Sequence, residues 1–277
     1  MGQEEIKKAV RDHYGKIAQD TGLYCFPSVP CCGGKSAAEK IGRGIGYSAE
    51  ELQSVPEGAN LGLGCGNPVA FASLKEGETV VDLGSGAGFD CFLAANQVGK
   101  NGRVIGVDMT PEMLDKAREH ARKDGYGNVE FRLGEIENLP VADNSADIVI
   151  SNCVITLSPD KKRVFREAYR VLKPGGRLMV SDIVVLRELP EAVKNSIEAY
   201  VECLAGAVMK DDYINTVKEA GFQDVTIMGE KSFTLKDLAG HPEAKFGKKI
   251  SDENLAVSFA SINVYAIKPE IGVGKVQ

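Results

Sequence analysis

Seven cysteines are the side chains in this sequence with the most chemistry to offer, and their spacing narrows what that chemistry is. Structural zinc draws its ligands from close pairs such as Cys-x-x-Cys. No such pair occurs here, and His13, His120 and His241 show no ligand spacing. Single cysteines far apart in the chain suit instead a soft, low-coordinate ion taken up by three thiolates, because soft ligands select soft acceptors. The candidates are Cys32 in VPCCGG, Cys65 in LGLGCGNP, Cys153 in ISNCVI and Cys203 in EAYVECLAGAVM. Each also has a plainer reading as a small, easily buried apolar residue. That reading is adopted for Cys91, inside a predicted helix, and favoured for Cys25.

A second constellation is Val80-Val81-Asp82-Leu83-Gly84-Ser85-Gly86-Ala87-Gly88, where an apolar run breaks into a glycine turn and then a helix, FDCFLAANQV. Strand, glycine turn and helix open a nucleotide-binding α/β unit, because glycine lets backbone approach a ligand closely. A dinucleotide fingerprint needs a small residue three places after the second glycine, and Phe89 stands there instead. Asp82 precedes the first glycine, which suits a cofactor without pyrophosphate whose cationic amino-acid end benefits from a carboxylate. S-adenosylmethionine fits that description and NAD does not. Ligands of such sheets bind outside the carboxyl ends of the strands. Asp108, twenty residues past Gly88 and followed by Met109, is therefore expected to accept from two ribose hydroxyls. Gly134, Glu135 and Ile136 end the third strand, with Ile136 against the adenine, and Asn152 ends the fourth, beside the methyl. Gly84, Ser85 and Gly86 complete the expected cofactor set with Asp82.

The elements that must position these residues follow from periodicity. Residues 1–20 read as an amphipathic helix with Ile6, Val10 and Ile17 on one side, and residues 21–70 as an irregular arm rich in glycine and proline. From Glu78 a regular alternation begins: strands TVVDL, RVIGVDM, NVEFRLG, ADIVISN and RLMVSDIVV, with helices between most of them. A long helical stretch from Pro190 to Ala220, carrying Cys203, precedes DVTIMGEKSF, a polar insertion and a last strand SINVYAIKP, the final two strands forming a hairpin-like edge. That order implies a mostly parallel sheet with helices on both faces. Its expected partition is 1–70 for the N-terminal helix and cysteine arm, 71–195 for the cofactor-binding domain, and 196–277 for a part completing the sheet. A net charge of −6 and a pI near 5.3 give no electrostatic basis for nucleic acid or an anionic membrane surface. No apolar run is long enough to span a bilayer, and the charged N-terminus lacks a signal peptide's apolar core. A cytoplasmic setting is the default expectation, and there cysteines are thiols.

Trivalent arsenic is one ion that three thiolates hold well, and it keeps a lone pair whose natural electrophile is a sulfonium methyl. With the cofactor reading, the residues NLGLGCGNP, DLGSGAGFDCFLAA, VIGVDMTPEML, VEFRLGEIENLPVADNSADIVISNCVITLSPDK and RVLKPGGRLMVSDIV resemble the microbial arsenite S-adenosylmethionine methyltransferases over nearly the whole chain. The resemblance implies a Rossmann-like class I methyltransferase fold with a seven-stranded sheet. It implies arsenic ligands at Cys65, Cys153 and Cys203, and a redox partner at Cys32, with adjacent Cys31 its rival. It further implies arsenite arriving as a thiol conjugate, S-adenosylhomocysteine as product, and no metal cofactor. A Cys32–Cys65 disulfide would return two electrons to arsenic, to be reset by thioredoxin, glutaredoxin or a small thiol. The family usually reads Asn-Cys-Val-Ile-Asn, and Thr156 replaces the last asparagine here. Two other classes share these features: a methyltransferase of a small lipid or quinone with incidental cysteines, and a metalloid-binding protein without turnover.

Overall fold

The computed structural model describes residues 2–19, 34–234 and 258–270. Continuous apolar runs bounded by turns make strands buried on both faces. β1 (Thr79–Leu83), β2 (Arg103–Asp108), β4 (Ala146–Asn152) and the second half of β5 (Leu172–Val185) are such strands; β3 (Val129–Leu133), with only Phe131 buried, is an edge strand, and the mutual pairings of all five are parallel. β6 (Gln223–Thr234) and β7 (Ser258–Ile267) follow, β7 pairing antiparallel to both β5 and β6. The sheet order is β3-β2-β1-β4-β5-β7-β6, so the last strand lies inside the sheet, with β6 at one edge and β3 at the other.

Helices cover both faces. α5 (Phe89–Val98), as the sequence predicts, buries Phe92, Leu93 and Val98 against Val80, Ile148 and Met179. On the other face α7 (Lys161–Val171) and α10 (Lys210–Glu219) bury Phe165, Ala168, Tyr213 and Val217 with Val149, Leu178 and Val264. α6 (Pro111–Lys123) begins on the expected proline, and α1 (Gln3–Gln19) buries Val10 and Ile17. Among the described residues no helix is long and apolar enough to cross a membrane.

Two expectations are corrected. The described part of the arm, from residue 34, is not irregular throughout: it holds α2 (Gly34–Gly44), α3 (Ala49–Gln53) and α4 (Pro68–Phe71). α3 and α4 are too short to show a period, but each is set by its cap. Ser48 and Glu51 form a reciprocal capping box for α3, and Asn67 accepts the Ala70 N–H ahead of Pro68 for α4. The stretch 190–220 is not one helix but α8 (Glu191–Lys194), α9 (Ile197–Val201), a loop, and α10. Ser196 caps α9 afresh, and Gly206 passes so close to the Thr156 carbonyl that a Cβ would stand 2.2 Å from its oxygen. Cys203 is therefore a loop residue after α9, not a helical one.

Candidate active site

The carboxyl ends of β1, β2 and β4 and the turn after β3 open into a cavity of about 490 Å³, roofed by Lys7, Val10 and Tyr14 of α1. Its size suits one small-molecule cofactor. Gly84 enters the turn at φ 69°, and a Cβ there would stand 2.4 Å from the Val154 side chain, so the turn requires glycine. The Asp108 carboxylate accepts from the Gly86 N–H at 2.9 Å and the Thr110 N–H at 2.8 Å, which fixes it at the cavity wall while burial raises its pKa. Met109, Gly134 and Ile136 line the cavity, with Ile136 buried. Glu135 does not line it. Its carboxylate turns to Lys7, at 2.6 Å, and to Arg11, at 3.7 Å, and so holds α1 down.

Three features of the wall are unfinished within the protein. Ser85 Oγ is buried without a hydrogen-bond partner among the described residues. Asp82 and Asp90 are both buried, both line the cavity, and neither has an ion-pair partner among the described residues. Burial raises both carboxyls; for Asp82 the nearby charge of Asp90 adds to this, and Asp90 is pushed up to about 6. Asp82 accepts from the Cys91 thiol at 3.2 Å, and Asp90 from the Tyr47 hydroxyl at 2.6 Å. A buried hydroxyl lacking a partner and a pair of buried carboxylates lacking a cation are the complement of a cationic, hydrogen-bonding ligand.

Asn152 ends β4 as expected, but its amide is committed to the arm. Oδ1 accepts from the Cys65 N–H at 3.0 Å, while Nδ2 reaches the Gly66 carbonyl at 2.8 Å, the Tyr47 hydroxyl at 2.9 Å and Asp90 at 3.1 Å. Ser261 of β7 donates to the Cys65 carbonyl at 2.6 Å, so Cys65 is pinned from two strands. Cys153 is the next residue after β4, in the left-handed region at φ 58°, with its N–H on the Ser181 carbonyl at 2.7 Å. Cys203 is also left-handed, at φ 61°, and its thiol donates to the Cys153 carbonyl at 3.2 Å. Non-glycine residues held there carry strain and cluster where geometry is imposed for function.

Of the three predicted cysteines, which come from three separate segments and all line the cavity, Cys65 and Cys153 bring their sulfurs together, while Cys203 joins them through its thiol on the Cys153 carbonyl. Cys65 Sγ, Cys153 Sγ and a carboxylate oxygen of Asp182 all lie within 4.8 Å of one another. All three thiols titrate high. Burial raises Cys65; the Cys203 thiol lowers Cys153, but the Cys65 thiol and burial outweigh it; the Cys153 thiol and burial raise Cys203 well above its usual range. Cys91 is fully buried within α5, as read from the sequence, and Cys25, Cys31 and Cys32 lie outside the described residues.

Sequence reasoning missed Tyr14, Tyr47, Asp90 and Asp182. Asp182 escapes the strand-end rule that marks Asp108 and Asn152, because β5 runs on to Val185 past it. Thr156, where the family usually has asparagine, is fully buried and binds Asp182 through both its hydroxyl and its N–H.

A methyltransferase domain family matches residues 74–221. An arsenite methyltransferase of Halobacterium salinarum is 52% identical over 231 residues, covering 81% of this chain and 59% of that protein. One of Aquipseudomonas alcaligenes is 38% identical, covering 84% and 67%. The crystal structure of CrArsM, an arsenic (III) S-adenosylmethionine methyltransferase from Chlamydomonas reinhardtii, superposes with a TM-score of 0.64 at 37% identity, covering 84% of this chain and 74% of that one. The chain spans 59% and 67% of the length of these two curated relatives. Likeness of this extent, over a seven-stranded sheet that gathers three distant cysteines, places the chain in the arsenite methyltransferase family.

Proposed function

We propose that this chain methylates trivalent arsenic, first arsenite and then methylarsenite, with S-adenosylmethionine as methyl donor and detoxification as the outcome. The observation that carries the reading is the convergence of Cys65, Cys153 and Cys203 at the mouth of a cavity whose buried carboxylates lack a cation. S-adenosylmethionine, when bound, supplies an electrophilic methyl on a cationic sulfur. Asp82 and Asp90 answer its charged end, Asp108 its ribose hydroxyls, Ser85 a further polar atom, and Ile136 gives the base an apolar wall.

Arsenite, as a thiol conjugate, exchanges onto the three cysteines. Each cysteine thiol gives its proton to the hydroxide or thiolate it displaces, so thiols that titrate high need no separate base. Holding arsenic in line with its electrophile makes the reaction unimolecular, worth up to about 7–11 kcal/mol in favourable cases. The nucleophile is a lone pair with no proton to lose. The apolar lining of the cavity, to which α1 adds Val10 and Tyr14, limits water at the reacting atoms while charge is redistributed. Methylation oxidises arsenic by two electrons. Cys32 and Cys65 return them by forming a disulfide, with Cys31 the rival for Cys32, and thioredoxin, glutaredoxin or a small thiol reopens it.

Arsenic speciation after incubation with arsenite, S-adenosylmethionine and thiol tests this directly. Methylated product is expected from the parent chain and none from Cys153→Ser or Cys203→Ser. Full methylation by either variant would overturn the reading. Cys32→Ser should lose arsenite methylation but spare methylarsenite; loss of both would remove its redox role.

A further inference from the structure

Among the described residues, Asp182 is the one buried carboxylate grouped with the Cys65 and Cys153 sulfurs, and its hydrogen bonding limits what it can do. It is fully buried in β5, with a carboxylate oxygen within 4.8 Å of the Cys65 and Cys153 sulfurs. Oδ1 accepts from the Thr156 hydroxyl and from the Ile183 N–H at 3.0 Å. Oδ2 accepts from the Thr156 N–H at 3.0 Å and the Tyr213 hydroxyl at 3.0 Å. A carboxylate offers about four lone-pair sites, and four protein donors fill them. Asp182 therefore has no free lone pair to give arsenic as a further ligand and no open position at which to take a proton. What it can offer the sulfur cluster is negative charge: burial raises its carboxyl, and the donors on Thr156, Ile183 and Tyr213 act against that in favour of the ionised form. Lys161 is the nearby cation; its ammonium donates to the Thr156 carbonyl at 3.1 Å and the Ser158 carbonyl at 2.9 Å, not to Asp182, and its charge favours the ionised carboxylate from a distance.

The proposed reaction creates a charge for it to meet. As the arsenic lone pair becomes the new As–C bond, the pair of the broken C–S bond stays on sulfur, which becomes a neutral thioether. One unit of positive charge passes to arsenic, and no proton moves. We propose that Asp182 is the electrostatic partner of the arsenic, a preorganised carboxylate that stabilises the positive charge arriving there during methyl transfer. Thr156, Tyr213 and the Ile183 N–H are the residues that hold it in place. This rests on the methyl-transfer reading above. A fixed charge in a water-poor site, aimed where charge develops, commonly contributes about 10²–10³ in rate.

The test compares the full-length chain with Asp182→Asn in three measurements. Single-turnover methylation of arsenite should slow about 10²-fold. Arsenite affinity, titrated without S-adenosylmethionine, should stay within threefold. The pH midpoint for iodoacetamide alkylation of the cluster thiols should fall, because a neighbouring negative charge has gone. A methylation rate within threefold of the parent would overturn the inference, as would an arsenite affinity that falls in step with the rate. If Asp182→Asn does not fold, Tyr213→Phe carries the test. It keeps the charge and the edge-on ring contact with Phe165 while removing one donor. Its methylation should be severalfold slower at pH 6.5 and recover by pH 8.5, and a rate equal to the parent's at both would overturn the inference. A parent chain that makes no methylated arsenic fails the function itself; an active parent matched by its Asn variant fails only the role of Asp182.

Discussion

The side chain of Asn152 accepts the backbone N–H of Cys65 at 3.0 Å, so the position of an arm sulfur is set by the last residue of a central strand. Asn152→Ala leaves the Cys65 N–H, the Gly66 carbonyl and the Tyr47 hydroxyl short of a partner in a half-buried site. A lost stability of about 1–3 kcal/mol is expected. Arsenite should bind at least tenfold more weakly, because one sulfur loses its anchor. Thermal unfolding and arsenite titration of the same sample check both; unchanged affinity would mean that Ser261 alone suffices to hold Cys65.

The left-handed backbone at Cys203 separates folding from chemistry. Cys203→Gly removes the strain of a side chain at φ 61° and also a buried thiol, two changes of opposite sign and each of order 1 kcal/mol. The melting temperature should shift by only a few degrees, while arsenite methylation is abolished. A large loss of stability together with retained methylation would contradict both parts.

Asp90 gives a pH signature. Its carboxyl is pushed up to about 6 by burial, against 3.8 when exposed. The native state therefore holds this proton where the unfolded chain has released it. The contribution to stability is fully present below pH 3.8 and is lost as pH rises through about 6. Binding of a cationic ligand has the opposite sense, since it gains from the ionised form. S-adenosylmethionine affinity should rise from pH 5 to 7 in the parent, and Asp90→Asn should flatten that rise. A parent profile already flat over this range would remove Asp90 from cofactor recognition.

Glu135 and Asp108 are predicted to behave differently although both stand near strand ends. Glu135 pairs with Lys7, whose side chain is 14% exposed, and acts on the cofactor only through α1. A double-mutant cycle of Glu135→Gln and Lys7→Met should give a coupling of about 1 kcal/mol or less, with S-adenosylmethionine affinity changed only severalfold. Asp108→Asn should cost at least tenfold in affinity with little loss of stability. Equal effects from Glu135→Gln and Asp108→Asn would return Glu135 to the cofactor set.

The sheet was legible because its strands are short apolar runs punctuated by glycine, and α5 and β4 fall on the residues that pattern marks out. The cavity wall was legible for the same reason: strand ends are fixed by the strands. Four cysteines were singled out by their isolation in sequence, and the resemblance narrowed the arsenic ligands to three, yet no periodicity could say that Cys203 leaves its helix. Its turn depends on Gly206 meeting the Thr156 carbonyl, a contact 50 residues away in the chain. The networks around Asn152 and Asp182 were equally hidden, because Tyr47, Asp90, Thr156 and Tyr213 come from unrelated segments and converge only on folding. Cys32 shows the limit from the other side: it was singled out on residues alone and lies outside the described residues.

β7 lies between β5 and β6, and its Ser261 clasps the loop that bears Cys65. During synthesis the chain must emerge almost to residue 267 before that clasp exists, whereas Cys153 and the nucleotide-binding turn are already made. A nascent chain that has not yet reached β7 thus lacks the bond that holds the Cys65 backbone from that side, and the last strand to be made is the one that finishes the seating of Cys65.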